Sequence, residues 1–271
     1  MLRSRRARRR AQALLALLLT PVLALLLTAA LTPLPPELAE GRAPSTGALL
    51  RDRHGVILRE LRADDGARAR ELLEQALLSD GARVMDLGCG RGLLAAWCLA
   101  AEQLAKQGEW PSTLRAPPTG LRFRGVELMA REAQCGNRAL QPLYGARVQL
   151  EGGDMRQADL RGLDVIAVLD VLHYIPHAEQ DQLLDRIRAA LGSGGLFITR
   201  VGDAGSGWRF KVSQWVDAGI SFAQGHRLER MWCRPVSAWT EALVQRGFQV
   251  QALPMSHGTP FANVLLLARV A

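Results

Sequence analysis

Three alternating glycines, Gly88, Gly90 and Gly92, follow an apolar run ending in Asp86 within the stretch Val-Met-Asp-Leu-Gly-Cys-Gly-Arg-Gly at 84–92. Glycine lacks a Cβ and tolerates positive φ, so such a loop turns sharply and lets backbone N–H groups close around a ligand where the next helix begins. Cys89 fits between the glycines as a small side chain. The carboxylate of Asp86 suits a ligand that carries positive charge. The spacing departs from the Gly-x-Gly-x-x-Gly of dinucleotide-binding turns, because the third glycine arrives one residue early and Leu93 stands in its usual place.

Four further positions extend the pattern in order. The strand-like run 121–127 ends in Glu127. A third strand-like run, 147–151, is followed by Gly152-Gly-Asp-Met-Arg156. An apolar run bounded by Asp164 and Asp170 leads into Leu172-His-Tyr-Ile-Pro176, and Ser193-Gly-Gly-Leu-Phe-Ile-Thr199 reads as a loop and a fifth strand. Together with the glycine loop, these closely resemble the class I S-adenosylmethionine-dependent methyltransferases over residues 67–271. The resemblance implies S-adenosylmethionine as cofactor, with Asp86, Gly88, Cys89, Gly90 and Gly92 forming its cradle. Glu127 would bind the two ribose hydroxyls, Asp154 would meet the adenine amino group, and Met155 would lie beside the ring. Asp170 would face the site, near either the methionine moiety or the acceptor.

Methyl transfer is an in-line displacement at a carbon on a positive sulfur, so the protein chiefly positions the acceptor and removes any acceptor proton. His173, three residues beyond Asp170, stands where a general base could reach an acceptor hydroxyl. The competing reading packs it beside the cofactor or bonds it to backbone. Tyr174 would line the pocket, His177 belongs to the first turn of the next helix, and His54 has no assignable role. Residues 202–235 interleave Trp208, Phe210, Trp215, Phe222 and Trp232 with Arg209, Lys211, His226 and Arg227. They read either as a lid over an apolar or aromatic acceptor, an anionic one included, or as an amphipathic helix completing the core. This segment resembles methyltransferases of bacterial aryl-polyene pigment clusters. The run after Asp170 lacks the Asn-Pro-Pro-Tyr type of sequence found in methyltransferases acting on nucleobase or amide nitrogen, which favours oxygen or carbon in a small-molecule or lipid-like acceptor.

The elements that must hold these residues alternate. Helical signals at 67–79, 92–106, 129–140, 177–191 and 236–246 interleave with strand signals at 82–87, 121–127, 146–151, 163–170, 195–201, 248–253 and 264–270. That alternation predicts an α/β fold, a Rossmann-like, mostly parallel sheet with ligands at the carboxyl ends of its strands. Family topology adds seven strands and a C-terminal antiparallel hairpin. Asp86 and Glu127 stand farther apart than the roughly 20 residues of a compact strand-helix-strand unit. The turn-rich, aperiodic stretch 109–120 accounts for the excess as a surface loop.

The first 66 residues belong to another regime. Arg3, Arg5, Arg6, Arg8, Arg9 and Arg10 precede a leucine-rich run, 11–34, that carries no charge. As a helix it would reach about 30 Å or more, enough to cross a bilayer, with Pro33, Pro35 and Pro36 ending it and the arginines on the cytoplasmic side. The expected organisation is a basic N-terminus and membrane anchor at 1–36, a linker at 37–66 and the catalytic domain at 67–271. A cleaved signal peptide or a misassigned start codon are the other readings. A single span with its arginines inside would export the catalytic domain, away from the cytoplasmic S-adenosylmethionine pool, so either the run forms a re-entrant hairpin about Pro21, or the domain is exported and inactive, or the extension is not what it seems. The expected location is therefore the bacterial inner membrane with the domain's side open and cofactor supply favouring the cytoplasm. Residues 10–70 also resemble the start of penicillin-binding protein 1C, without its catalytic domains.

The net charge of +8 does not indicate nucleic acid, since the first ten residues hold six positive charges and no acid, leaving +2 for the rest. Cys89, Cys98, Cys135 and Cys233 form no Cys-x-x-Cys pair and read as reduced thiols, with no metal site expected. Two rival functions stay open: an NAD(P)-dependent oxidoreductase using the same cradle, and a membrane-anchored fusion protein whose cofactor-binding domain is catalytically silent.

Overall fold

The computed structural model describes residues 49–51, 57–60, 77–112, 114–207, 231–255 and 263–271. Two short strands, β1 (Leu49–Arg51) and β2 (Ile57–Glu60), pair with each other inside the span expected to be a linker. The expected membrane helix, residues 67–76 of the helix expected at 67–79 and His54 lie outside the described residues, while residues 77–79 are described and are not helical. Among the described residues, no helix is long and apolar enough to cross a membrane.

From residue 77 onward the apolar runs become the elements expected of them. In chain order they are β3 (Arg83–Leu87), α1 (Leu93–Gln107), β4 (Arg122–Glu127), α2 (Ala130–Tyr144) and β5 (Val148–Gly152). Then follow β6 (Val165–Leu169), α3 (His177–Ala190), β7 (Leu196–Gly202), α4 (Val236–Gln245), β8 (Phe248–Pro254) and β9 (Asn263–Val270). The seven strands from β3 onward form one sheet in the order β5-β4-β3-β6-β7-β9-β8, parallel except for β9, which runs antiparallel to both neighbours. The strands bury both faces, which is why β3, β6 and β7 are nearly continuous apolar runs rather than alternating ones.

Side chains alternate between two cores with the period of two that a strand imposes. On one face Val84, Ala167, Leu196, Ile198, Leu265 and Leu267 pack with Leu94, Ala95, Cys98 and Leu99 of α1 and with Ala133 and Leu140 of α2. On the other, Met85, Ile166, Val168, Phe197 and Leu266 pack with Leu183, Leu184 and Ile187 of α3 and with Trp239 and Leu243 of α4. The chain winds outward through β3, β4 and β5 and then returns to place β6 on the other side of β3. Such a reversal places the loops that follow β3 and β6 side by side, the position where open α/β sheets hold ligands.

Residues 109–120 form the irregular connection expected. The Trp110 indole N–H donates to the Arg115 carbonyl (3.0 Å) and the Thr119 N–H to Asp80 (2.6 Å). Below this loop Glu102, 2% exposed, receives Lys106 at 2.5 Å and the Arg147 guanidinium, which also donates to the Leu121 carbonyl at 2.9 Å. Burial alone raises the Glu102 carboxyl, but the bonds from Arg147 and Lys106 outweigh it and hold the group below its ordinary value. A carboxyl lowered in the folded state stabilises the protein above the unfolded-state value, and that stabilisation is lost as pH falls through the folded-state value. Glu102→Gln is therefore expected to lower the melting temperature at pH 7 by about 3–8 °C, from a loss of about 1–3 kcal/mol. The gap to the wild type should close as melts are repeated toward pH 3.

Candidate functional site

Asp86, Glu127, Asp154 and Asp170 stand at or just beyond the carboxyl ends of four strands, two of them the central β3 and β6. The glycine loop after β3 takes positive φ at Gly88 (79°), Gly90 (53°) and Gly92 (76°), values that explain the alternation. The three glycines differ in surroundings. A Cβ on Gly88 would fall 2.7 Å from Val171, and one on Gly92 would fall 2.8 Å from Leu150, so both admit close packing. A Cβ on Gly90 would meet no protein atom within 4 Å, so its surface is open to a ligand.

The loop is tied to the end of β4. The Gly88 N–H donates to the Val126 carbonyl (2.8 Å), and the Gly90 N–H donates to the Glu127 carboxylate (2.9 Å). The second Glu127 oxygen accepts the Met129 N–H (3.1 Å), and the Glu127 carbonyl accepts the Gly153 N–H (2.9 Å). A carboxylate offers about four lone-pair sites, so Glu127 retains capacity for two further donors. The structure thus brings Gly90, Glu127 and Gly153 to one place, with Leu128 beside them 76% exposed. Leu128 carried no sequence signal beyond its position after the acid.

Cys89 turns its thiol away from this surface, since a Cβ on Gly125 would fall 2.7 Å from its Sγ. Burial, followed by the nearby Asp86 and Glu127 carboxylates, pushes the Cys89 thiol far above its ordinary value. Burial pushes Cys98 up to about 12. Both are protonated at neutral pH, so what Cys89 can offer a ligand is backbone. Among the described residues no two cysteines are joined by a disulfide.

Asp154 begins the short turn Met155–Gln157, accepting the Arg156 N–H (2.8 Å) and pairing with the Arg156 guanidinium, which also reaches Glu179. The side-chain bond from Arg156 holds the Asp154 carboxyl below its ordinary range, so it is an acceptor at neutral pH. Arg156 was missed, although an arginine two residues after an acid at a turn is a readable signal. Asn137 of α2 fixes this end of β5 by exchanging two hydrogen bonds with the Leu150 backbone, at 2.6 and 3.0 Å.

In the loop after β6 Asp170 takes φ 60°, the positive value otherwise confined to glycines among the described residues. Its carboxylate accepts from Arg200 Nη1 at 3.1 Å. The next turn, Leu172–Tyr174, carries His173 and Tyr174 with ring centroids 4.1 Å apart, Tyr174 being 61% exposed. His177 opens α3, as expected. Residues 208–230, most of the expected acceptor segment, lie outside the described residues. The return of that segment is held firmly. The Trp232 N–H donates to the His173 carbonyl (2.8 Å), and the Gln180 amide, fully buried, reaches the carbonyls of Leu172 (3.0 Å), Ile175 (3.1 Å) and Trp232 (2.8 Å). Arg234 adds a bidentate pair with Asp181 at 3.0 and 2.8 Å.

The model of a methyltransferase-domain family matches residues 58–253, well over half of the sequence. The chain belongs to the methyltransferase-domain family. This methyltransferase is 28% identical over 128 residues to the carboxy-S-adenosyl-L-methionine synthase of Chromohalobacter salexigens, covering 47% of this chain and 42% of that protein. The match therefore spans less than half of that relative. In fold, the methyltransferase is similar to magnesium protoporphyrin IX methyltransferase from Synechocystis PCC 6803 with bound S-adenosylhomocysteine. The TM-score is 0.53 at 17% identity, over 76% of this chain and 82% of that one. It is also similar to mitomycin 7-O-methyltransferase, with TM-score 0.52 and 22% identity over 77% of this chain and 55% of that one.

Proposed function

We propose that this methyltransferase moves the methyl group of S-adenosylmethionine to an oxygen or carbon of a small-molecule or lipid-like acceptor. The observation that carries the reading is the bond from Gly90 N–H to Glu127. It sets an acid with spare acceptor capacity against a glycine whose surface is open. That arrangement fits a nucleoside whose ribose hydroxyls donate to Glu127 while its chain lies over Gly90, with Gly88 and Asp86 continuing the cradle. Asp154, kept ionised by Arg156, would receive the adenine amino group, and Leu128 and Met155 would flank the ring.

When bound, S-adenosylmethionine supplies a methyl group on a positively charged sulfur. The chain's own residues do the remainder. The turn after β6 holds the acceptor, and the imidazole of His173 takes the proton from an acceptor O–H as that oxygen becomes the nucleophile. Aromatic side chains of 202–235 exclude water from an apolar acceptor.

Titration of the purified protein with S-adenosylhomocysteine is expected to give saturable heat, and titration with NADH none. Binding of NADH alone would return the fold to the oxidoreductase reading. Turnover across a panel of phenolic, carboxylic and lipid-like acceptors then separates a working enzyme from a silent cofactor-binding domain.

The N-terminal run at 11–34 supports a further part of this proposal, attachment to the bacterial inner membrane. Cofactor supply favours a catalytic domain on the cytoplasmic side. A reporter fused after Ala271 is expected to be active as a cytoplasmic enzyme and inactive as a periplasmic one; the reverse pattern overturns this placement.

A further inference from the structure

We propose that the open face of the sheet toward the amino ends of β4 and β5 carries a second binding site, for a small soluble anion bearing a phosphate or diphosphate group, held by Arg83, Arg122 and Arg124. The inference does not depend on the cofactor reading. β3 has five residues at roughly 3.3 Å each, so this site stands roughly 15 Å from the glycine loop, at the other end of the strands.

A parallel sheet covered by helices carries apolar side chains on both faces. β4 and β5 depart from that on one side only. Phe123, Val148 and Leu150 are buried with α1 and α2, but the alternate positions hold Arg122, Arg124 and Gln149, of which Arg122 and Gln149 are exposed. The connections give the reason. α3 and α4 pack over Met85, Ile166 and Phe197 nearer the middle of the sheet, and the stretch from β5 to β6 contains only the short turn Met155–Gln157 where a covering helix could lie. A cavity of about 260 Å³ remains on this face, with Arg83, Arg122, Arg124, Gln149, Gly162 and Leu163 in its lining and no acid.

The arginines crowd one another. Arg83 and Arg122 are register neighbours on adjacent strands, which stand about 4.8 Å apart, and Arg124 projects to the same side two residues on. Like charges set side by side across a sheet repel. Their partners offset this only in part. Asp164 takes Nε and Nη2 of Arg83, both at 3.0 Å. Arg124 donates to the Asp159 carbonyl at 3.0 Å, while the Asp159 carboxylate lies 4.0 Å away and accepts twice from Arg161 at 2.9 Å. Among the described residues the Arg122 side chain has no hydrogen bond or ion pair. Four guanidiniums therefore face two carboxylates.

A guanidinium has five N–H donors, so Arg83 and Arg124 are held in place with donors to spare. Such forks pair with phosphate oxygens two bonds at a time. One fork satisfies a planar carboxylate, whereas the tetrahedral oxygens of a phosphate can take forks from both strands. The cavity falls just below the roughly 300–1,000 Å³ of sites for drug-sized ligands, which suits a phosphate-bearing group better than a protein segment. An anion there would neutralise the crowding that the fold leaves uncompensated.

The probe is inorganic pyrophosphate, titrated calorimetrically into the full-length protein at fixed ionic strength. Saturable binding at one site is expected, and Arg122→Gln and Arg124→Gln should each weaken it at least tenfold. Because the Arg122 side chain is exposed and unbonded, its variant should melt with the wild type, so a loss reports contact with the anion. Arg138→Gln, which removes an exposed arginine from α2, is expected to bind as the wild type does. S-adenosylhomocysteine should neither displace pyrophosphate nor bind more weakly to Arg122→Gln. The proposal is overturned if the wild type gives no saturable binding, if Arg122→Gln binds within twofold of it, or if Arg138→Gln loses as much. Displacement of pyrophosphate by S-adenosylhomocysteine would place the anion at the glycine loop and overturn it too. Sedimentation with phosphatidylglycerol vesicles is the remaining arm: vesicle binding that depends on Arg122, without pyrophosphate binding, assigns the arginines to a lipid surface and overturns the soluble-anion site. Pyrophosphate bound as expected with no binding of S-adenosylhomocysteine removes the cofactor reading and leaves this site standing.

Discussion

Glu127→Ala is expected to weaken S-adenosylhomocysteine binding about a hundredfold or more. The carboxylate does two things that alanine cannot. It accepts the Gly90 and Met129 N–H groups, which sets the height of the glycine loop, and in the proposed site it keeps lone pairs for two ribose hydroxyls. Hydrogen bonds to a charged group contribute about 1.5–3 kcal/mol each, and a hundredfold loss corresponds to about 2.7 kcal/mol, so losing the ribose contacts alone suffices. Glu127→Gln keeps one carbonyl acceptor and loses the charge, and an intermediate loss of about tenfold is expected. Both variants should melt close to the wild type, because Glu127 is only partly buried. Calorimetric titration gives the affinity directly, and a change below threefold in Glu127→Ala would remove the residue from the cofactor site.

His173→Ala should slow methyl transfer about a hundredfold or more once an acceptor hydroxyl is in hand, while S-adenosylhomocysteine binds within threefold of the wild type. The separation between the two readouts matters, since His173 also contributes its carbonyl to Trp232 and its ring to Tyr174. Alanine preserves the carbonyl, so a fall in rate without a fall in affinity reports the imidazole. If the ring is the base, the rate of His173→Ala should follow the acceptor's own ionisation, rising with pH and recovering in part with a more acidic acceptor. A near-normal rate would leave His173 as packing beside the site and shift attention to carbon acceptors, which need no such proton transfer.

The strands and helices from Arg83 onward were legible because a sheet covered on both faces writes itself as apolar runs, and a covered helix as a stripe. The strand boundaries expected from those runs differ from the observed ones by only a residue or two. The glycine loop was legible for a different reason: positive φ at alternating positions restricts residue type so strongly that Gly88, Gly90 and Gly92 announce the turn. What escaped were partners that act through geometry rather than type. Arg156 has one partner that its place two residues after Asp154 makes readable, but its second, Glu179, comes only when the fold brings α3 to it. Arg200 and Gln180 did carry a signal, each being a polar residue on a buried position of its element, at a strand tip and on the stripe shared with Leu183, Leu184 and Ile187. Such residues read as defects in the pattern until their bonds are seen. The paired strands β1 and β2 were hidden because three or four residues are too few for a period to show.

The fully buried Gln180 amide has a consequence for how an acceptor is sensed. Its one nitrogen reaches carbonyls on both sides of His173 and on the return at Trp232, and Trp232 bonds back to His173 itself. If His173 is the base proposed above, these bonds would yoke recognition to reactivity. A molecule that shifts the return segment pulls on the backbone carrying the imidazole, so a poorly fitting guest would misalign the very group needed to activate it. Discrimination would then register in turnover even among molecules that dock equally well.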